Sequence, residues 1–582
     1  MLNIERALLE KFPNFSKQSA MIRKSTVGLL KKIVYQDKVN AFLTANQGRL
    51  GVDFIDAIFE YFDFSYRVSA RERANIPAEG RVIIIANHPI GSLDGLALLR
   101  LVSEVRQDVK IVANDMLMNF SALHSLFIPL DNMAGGSPRR SYKAILDALA
   151  NEQAIIIFPA GEVSRAHPSG VKDGVWRPGF LHFARRSGAP LLPIHIAAKN
   201  SFVFYGASFL FKPLGTALLA HEMFNKQSQV IDFSVGELIS ASALETPHLN
   251  DRNLAKRLKK HLYKIGKRRH PIFVTEKTIA HPEHRQVLQA ELQKAQLLGE
   301  TRDGNRIYLF DYTPNSPVMR EIGRLREVAF RKVGEGTGAK RDLDKFDQHY
   351  RHLILWDREK LEIAGAYRLG VGKQILAEFG VEGFYTRSLY EFSPEFLPYL
   401  EQSVELGRSF VNPDYWGKAS LDYLWQGLGA YLTQYPARYL IGPVSMSARY
   451  PRHLTDALVY FFKRYHQCPV PMVEAYHPYA VEADQLGEFD EMFAGLDADQ
   501  ALDRLQQEFH AVNEKLPVLF KQYLGLYEPG GFLSLVFSID PEFGDCLDGL
   551  CMADLRLLKA AKRKRYMPSA KDPVGALPVA AA

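Results

Sequence analysis

Three short apolar runs constrain the fold of this chain more than any other feature. They are "RVIIIANHP" (81–89), "AIIIFPAGE" (154–162) and "APLLPIHIA" (189–197). None alternates apolar with polar, so each reads as a strand buried on both faces. Between them, "DGLALLRLVSEV" (94–105), "SYKAILDALANE" (141–152) and "GFLHFARRSG" (179–188) space apolar residues as helices do. Continuous strands joined by helices predict an α/β sheet with buried strands.

A single core is improbable in a chain of 582 residues, since domains run to roughly 100–200 residues. Residues 1–75 read as helical. In "MIRKSTVGLLKKIV" (21–34), Ile22, Leu29, Leu30 and Ile33 share a face flanked by Arg23, Lys24, Lys31 and Lys32. That pattern suits packing on the domain or lying in a membrane interface. The α/β region covers 76–270 and ends in a basic helix, "DRNLAKRLKKHLYKIGKRRH". A linker helix is expected over 271–300. From 301 to 565 a different order begins: strand "RIYLFDY", helix "PVMREIGRLREVAFRKVG", strands "HLILWD" and "EIAGAYRLG", then helix "LPYLEQSVELGRSFV". Adjacent antiparallel strands followed by a helix predict an α+β domain. Residues 566–582 read as a disordered tail.

The net charge of +7 suits an anionic partner. Three cysteines without clustered spacing argue against zinc and against a disulfide framework, and fit a reducing, cytoplasmic setting. No run reaches the roughly 18 apolar residues of a spanning helix. The nearest, "NSFVFYGASFLF" (200–211), reads as core strands or a surface dipping into lipid.

Two strand ends carry chemistry. After "VIIIA" come Asn87, His88 and, on a glycine-containing turn, Asp94. The carboxyl edge of an α/β sheet is where ligand sites form. There Asp94 can fix the imidazole tautomer while the other nitrogen takes a proton from a hydroxyl. Such a base needs no enzyme nucleophile to move an acyl group from a thioester to an alcohol. "FPAGEVSR" (158–165) is a second polar glycine loop at the same edge.

This pair of motifs resembles the lysophosphatidic acid acyltransferase family, with its N-H-x-x-x-x-D turn and its later F-P-E-G-T-R-S block, over about residues 75–220. The resemblance implies His88 as base and Asp94 as its orienting partner. It also implies an acceptor pocket lined by Phe158, Pro159, Gly161, Glu162 and Arg165. Two departures stand out. His88 and Asp94 are separated by five residues rather than four, and Ala160 stands where the family has glutamate. The rewritten block points away from a phosphate-bearing acceptor. Arg139, with Arg140 beside it, is a candidate for an acidic headgroup.

Farther on, Arg326 and Phe330 of a helix, Asp344 and Asp347 before a strand, "GAYRL" with Arg368, and "ELGR" with Glu405 and Arg408 follow in order. Helical spacing would put Glu405 and Arg408 on one face. Taken singly, these charges read as surface ion pairs of little energetic value. Together they resemble the ornithine-lipid N-acyltransferases, GNAT-like enzymes related in fold to the autoinducer synthases, over roughly 300–560. "LWQGLGAYL" (424–432) reads as an ordinary helix rather than a phosphate loop, and "DPEFGDCLDGLCM" fits the same family pattern.

As a whole the chain resembles the bifunctional ornithine lipid synthases. The resemblance implies a glycerolipid-acyltransferase-like α/β domain followed by a GNAT-like α+β domain. The second would join a 3-hydroxyacyl group to the α-amine of ornithine, and the first would esterify that hydroxyl. It further implies Glu405 as the amine's base, directly or through water. Arg408, Arg368 or Arg326 would hold the acceptor carboxylate, and Asp344 or Asp347 its side-chain ammonium. The expected co-substrate is acyl-ACP or acyl-CoA, with no other cofactor and no metal. Acyl carrier protein and a membrane lipid surface are the expected partners, without nucleic acid, at the inner face of a bacterial cytoplasmic membrane. The alternatives are the same chemistry on lysine, glutamine or glycine, a diffusible-signal synthase, or a lysophospholipid acyltransferase fused to a membrane-binding, hemolysin-like domain.

Overall fold

Strand pairing and core packing divide the computed structural model into two units, Met1–His281 and Pro282–Ala582. The structure describes residues 18–33, 35–114, 120–130, 138–167, 170–200, 229–245 and 248–567, with isolated positions 4, 5, 9, 15, 16 and 224. Residues 201–211 and most of the expected tail lie outside these.

In the first unit, β1 (Ser65–Arg67), β2 (Val82–Ala86), β3 (Val109–Asn114), β4 (Phe127–Leu130), β5 (Ala154–Ile157), β8 (Leu191–Ala197) and β9 (Val230–Val235) make one sheet, in the order β1-β9-β8-β2-β5-β3-β4. A small hairpin, β6 (Arg165–His167) and β7 (Gly170–Lys172), stands apart. All neighbouring strands of the large sheet are parallel except β8 and β9. Pleating sends Val82, Ile84 and Ala86 into one core, and Ile83 and Ile85 into the other. Helices cover both faces, which is why the strands are apolar throughout. Helix Asp251–Ile265 buries Leu254, Leu258 and Leu262 in the second of these cores. Its basic face is partly structural, since Lys259 donates to the carbonyls of Asp173 (2.6 Å) and Gly174 (2.8 Å). In helix Ala20–Ile33, Val27 is buried, whereas Leu29 is 62% and Met21 84% exposed.

The second unit holds an eight-stranded sheet. It comprises β10 (Gln296–Glu300), β11 (Arg306–Asp311), β12 (Arg351–Asp357), β13 (Glu362–Val371), β15 (Ser403–Val411), β16 (Tyr439–Met446), β18 (Phe532–Asp540) and β19 (Cys546–Asp554), in the order β10-β11-β12-β13-β15-β16-β19-β18. A side pair joins β14 (Tyr390–Phe392) to β17 (Val473–Ala475). Helix Pro317–Val333 covers one face with Ile322 and Leu325, and helix Ser420–Gln434 the other with Leu424 and Leu428. The former is well delimited: Ser316 accepts from Met319 N at 3.0 Å, Pro317 opens it, and Gly334 closes it at φ 89°.

Two sequence expectations are corrected here. The segment 271–300 is not a free linker helix, because helix Arg285–Leu292 packs Leu288 and Leu292 into the second unit's core and β10 joins its sheet. "LPYLEQSVELGRSFV" is not one helix. A short helix, Leu397–Glu401, gives way to β15. Val404 and Leu406 alternate with Glu405 as a strand requires, and the buried glutamate disguised that alternation.

Candidate active sites in the two units

In the first unit, Asn87 continues the ladder of β2 with its side chain. Its Nδ2 donates to Ile196 O (2.9 Å), and its Oδ1 accepts from Ile196 N (2.8 Å). The backbone of His88 is thereby freed for other partners. His88 O accepts from Ser164 N at 2.7 Å, and His88 N donates to Asp173 Oδ1 at 3.2 Å. The chain then turns through Gly91, whose φ of 99° suits glycine and accommodates the longer spacing before Asp94. Asp94 is fully buried in the first turn of helix Ser92–Ser103 and accepts from Ile90 N (2.9 Å) and Gly95 N (2.8 Å).

Nδ1 of His88 lies 3.1 Å from Asp94 Oδ1, a close contact that falls short of good hydrogen-bond alignment. Catalytic hydrogen bonds often tighten only with substrate bound. With Nδ1 turned to Asp94, Nε2 is the nitrogen left for a substrate proton. Burial pushes the imidazole pKa down, but Asp94 and Asp173 more than offset it and hold it above the usual histidine value. Phe158 stacks on the imidazole with centroids 4.2 Å apart. Gly161 turns the loop at φ 66°, and its N donates to Phe158 O (3.0 Å), while Arg177 N donates to Pro159 O (2.9 Å). Glu162 and Arg165 approach at 3.5 Å, yet Nε and Nη1 of Arg165 are buried without a hydrogen bond. That guanidinium edge suits an anionic ligand. Arg139 and Arg140 are exposed in the first turn of helix Pro138–Ala150.

Sequence reasoning missed Asp173. Besides His88 N, its carboxylate accepts from Ser164 Oγ (2.5 Å) and Trp176 Nε1 (2.8 Å), and burial raises its pKa. Asp173→Asn removes a negative charge that holds His88 up. The acidic limb of the O-acylation kcat/KM profile should therefore move to lower pH, along with some loss of rate. An unmoved limb would contradict this coupling.

In the second unit, the charges expected to be surface pairs are buried. Arg326 Nη1 donates to Asp347 Oδ1 at 2.8 Å, and Arg368 Nη1 to Asp344 Oδ1 at 2.6 Å, with Asp347 Oδ1 at 3.4 Å. Arg326, Asp347 and Arg368 are no more than about 1% exposed, so they form a closed ion network. Burial would raise the Asp347 carboxyl pKa, but Arg326 and Arg368 hold it well below the usual range. Asp344 and Asp347 also cap each other's backbone before β12.

Glu405 and Arg408 both lie on β15, which bulges at Arg408. Simple alternation would send them to opposite faces of β15. Between Ala366 and Arg368 the β13–β15 register shifts, so Arg408 and Ser409 both stand against Tyr367. Arg408 takes φ 47°. Its Nε lies 3.0 Å from Asp342 Oδ2, its Nη1 donates to Tyr385 OH (2.8 Å), and its guanidinium stacks 4.6 Å over Tyr385 and over Phe543. Glu405 is boxed in, accepting from the Tyr350 hydroxyl and from Thr386 N (2.9 Å). Burial raises its pKa. With both oxygens engaged, it is poorly placed to meet an amine directly.

Beside this bulge the sheet forks. The strands β15 and β16 run parallel but pair only from Ser403–Tyr439 to Glu405–Ile441. Beyond that point β15 continues to Val411 and β16 to Met446 without further pairing. At the fork Gly442 sits so near Leu406 O that an added Cβ would lie 2.2 Å from it.

A histidine–aspartate turn at a sheet edge in one unit, and a forked sheet lined by buried charge in the other, define a two-unit acyl-transfer enzyme. The comparisons agree. A family model described as "Acyltransferase" matches residues 6–264, and one described as "Acetyltransferase (GNAT) domain" matches 325–426. A glycine N(alpha)-acyltransferase of Bacteroides thetaiotaomicron is 34% identical over 281 residues, covering 46% of this chain and 82% of that protein. A lyso-glycine lipid O-acyltransferase of the same organism is 32% identical over 246 residues, covering 41% and 88%. An L-ornithine N(alpha)-acyltransferase of Rhodobacter capsulatus is 29% identical over 263 residues, covering 43% and 90%. The chain belongs to the aminolipid acyltransferases, with an O-acyltransferase-type and a GNAT-type unit on one polypeptide.

Proposed function

We propose that the chain performs two successive acyl transfers. The second unit joins a 3-hydroxyacyl group to the α-amine of ornithine, and the first esterifies the 3-hydroxyl with a second acyl chain. The observation that carries this reading is the presence, on one chain, of the His88–Asp94 turn and of the forked GNAT-type sheet with Arg408 at its bulge. The fork leaves backbone groups of β15 and β16 unpaired, so an extended thioester arm can bond between them. Arg408 receives the acceptor's carboxylate, because its side chain, though paired with Asp342, is 12% exposed, whereas Arg326 and Arg368 are sealed at about 1% or less. In the first unit His88 deprotonates the hydroxyl, and the guanidinium edge of Arg165 that makes no hydrogen bond holds the lyso-lipid's carboxylate rather than a phosphate.

The donor is an acyl thioester on acyl carrier protein or CoA, and a basic chain favours encounter with an acidic carrier. Among the described residues no helix is long and apolar enough to cross a membrane. The exposed Met21 and Leu29, beside Arg23, Lys24, Lys31 and Lys32, suit peripheral attachment to an anionic lipid surface. Glycine in place of ornithine is a second reading, favoured by the names of two relatives. Purified chain supplied with 3-hydroxyacyl carrier protein and labelled ornithine or glycine decides between them. Label should enter an organic-soluble, singly acylated product with ornithine. Product from glycine alone moves the assignment to glycine, and product from neither overturns the N-acyl-transfer reading.

A further inference from the structure

Glu405, with both oxygens engaged, does not meet the amine directly. A different group of carboxylates lies at the fork. Glu335 follows the helix that carries Arg326, and its Oε2 accepts from Ser445 Oγ at 3.0 Å. Ser445 pairs across the sheet with Asp548, and Asp548 in turn with Ser538. Asp540 pairs with Cys546, two residues before Asp548 on the same strand face. Glu335, Asp540 and Asp548 therefore gather on one face, within electrostatic reach of Arg408.

Their neighbours are partly spoken for. Asp540 caps Glu542 N (2.9 Å) and takes a long bond from Tyr385 OH (3.4 Å). Ser538 turns its hydroxyl to backbone carbonyls. Asp548 differs: it is 4% exposed, and burial and neighbouring charges, with no hydrogen bond among them, act on its carboxyl. A buried carboxyl without a partner is costly to keep and suits a cationic ligand. It stands opposite Ser445 of β16, beside the strand fork and within electrostatic reach of Arg408.

We propose that Glu335, Asp540 and Asp548 receive the amino group of the acceptor, with the Asp548 carboxylate taking its proton. This rests on the N-acyl-transfer reading above. The ammonium gives one proton to Asp548, and the neutral amine attacks the thioester carbonyl. The C–N bond forms as C–S breaks, and the departing thiolate takes the second nitrogen proton. Arg408 meanwhile holds the acceptor's carboxylate, which turns the amine toward the acids.

The electrostatics support the role. Burial, then Asp540 and Glu335, raise the Asp548 carboxyl to about 8, with Arg408 opposing. Burial raises Glu335 to about 7, with Ser445 and Arg408 opposing. Tyr385, Tyr390 and Cys546 also face the group and feel its charge. A base with such a value exchanges protons readily with an amine near neutral pH. The apparent value belongs to the cluster rather than to one residue.

The test is N-acylation by Asp548→Asn and Asp548→Glu, with an amino acid and, separately, with hydroxylamine, an acceptor that is already neutral at pH 7. Asp548→Asn should lose about 100-fold or more in kcat with the amino acid. The rising limb of its pH profile should also move to the more alkaline value set by the amine itself, while hydroxamate formation above background stays within a few-fold. Asp548→Glu should recover part of the loss. A raised carboxyl also destabilises the fold as pH rises through its folded value. Asp548→Asn should therefore unfold at a higher temperature than the parent at pH 9. Equal loss with both acceptors, or an unchanged rate and profile, overturns the proposal. A parent that acylates no amino acid overturns the N-acyl-transfer reading itself, and this inference with it.

Discussion

His88→Ala should cut O-acylation by roughly 10²–10⁴-fold and leave N-acylation intact. The reason is local. Asn87 ties the end of β2 to Ile196, Ser164 and Asp173 hold the His88 backbone, and Asp94 sits against Nδ1. Removing the imidazole takes away the base without disturbing those backbone anchors. Asp94→Asn should fall by a smaller factor, because the imidazole would remain but its tautomer and orientation would no longer be fixed. Assay of lyso-aminolipid conversion by each variant checks both. Retained O-acylation in His88→Ala would remove the base from this unit.

The second large effect concerns stability. Asp347→Ala leaves Arg326 buried without its main partner, and Arg368 with Asp344 alone. Breaking one side of a buried ion pair costs about 3–5 kcal/mol. At roughly 2–4 °C per kcal/mol, the second unit's thermal transition should drop by about 10 °C. The sign with pH follows from the depressed carboxyl. Its contribution is complete above the unfolded value near 4 and is lost as pH falls toward the folded one. The gap between parent and variant should thus narrow in acid. Calorimetry of the two proteins at pH 7 and below pH 4 measures this. A shift under about 2 °C at pH 7 would show that solvent or rearrangement compensates the arginines.

Much of the first unit was legible because β-branched runs and helical spacing name their elements locally. The His88–Asp94 turn and the stacked Phe158 belong to short segments whose spacing survives folding. Asp173 was not legible, since its partners Ser164, Trp176 and His88 meet it only through the folded loop. In the second unit the chemistry-bearing types were recognisable, but their setting was not. Glu405 and Arg408 were read at helical spacing, whereas they lie on a strand that bulges at Arg408. Arg326, Asp347 and Arg368 looked like surface charges because sequence does not reveal which ions are paired out of water. Glu335 and Asp548 lie far apart in the chain, and only the β16–β19 pairing together with the Ser445–Glu335 hydrogen bond makes them neighbours.

The central claim is that one polypeptide carries out both acylations in order. The most direct measurement is mass analysis of lipids from a bacterial host lacking aminolipids, expressing the chain or its His88→Ala variant. The parent should yield a phosphorus-free, doubly acylated amino acid, and the variant should accumulate the singly acylated form. A variant that still makes the doubly acylated lipid, or a parent that makes no aminolipid although supplied with acyl donors and amino acid, would contradict the account.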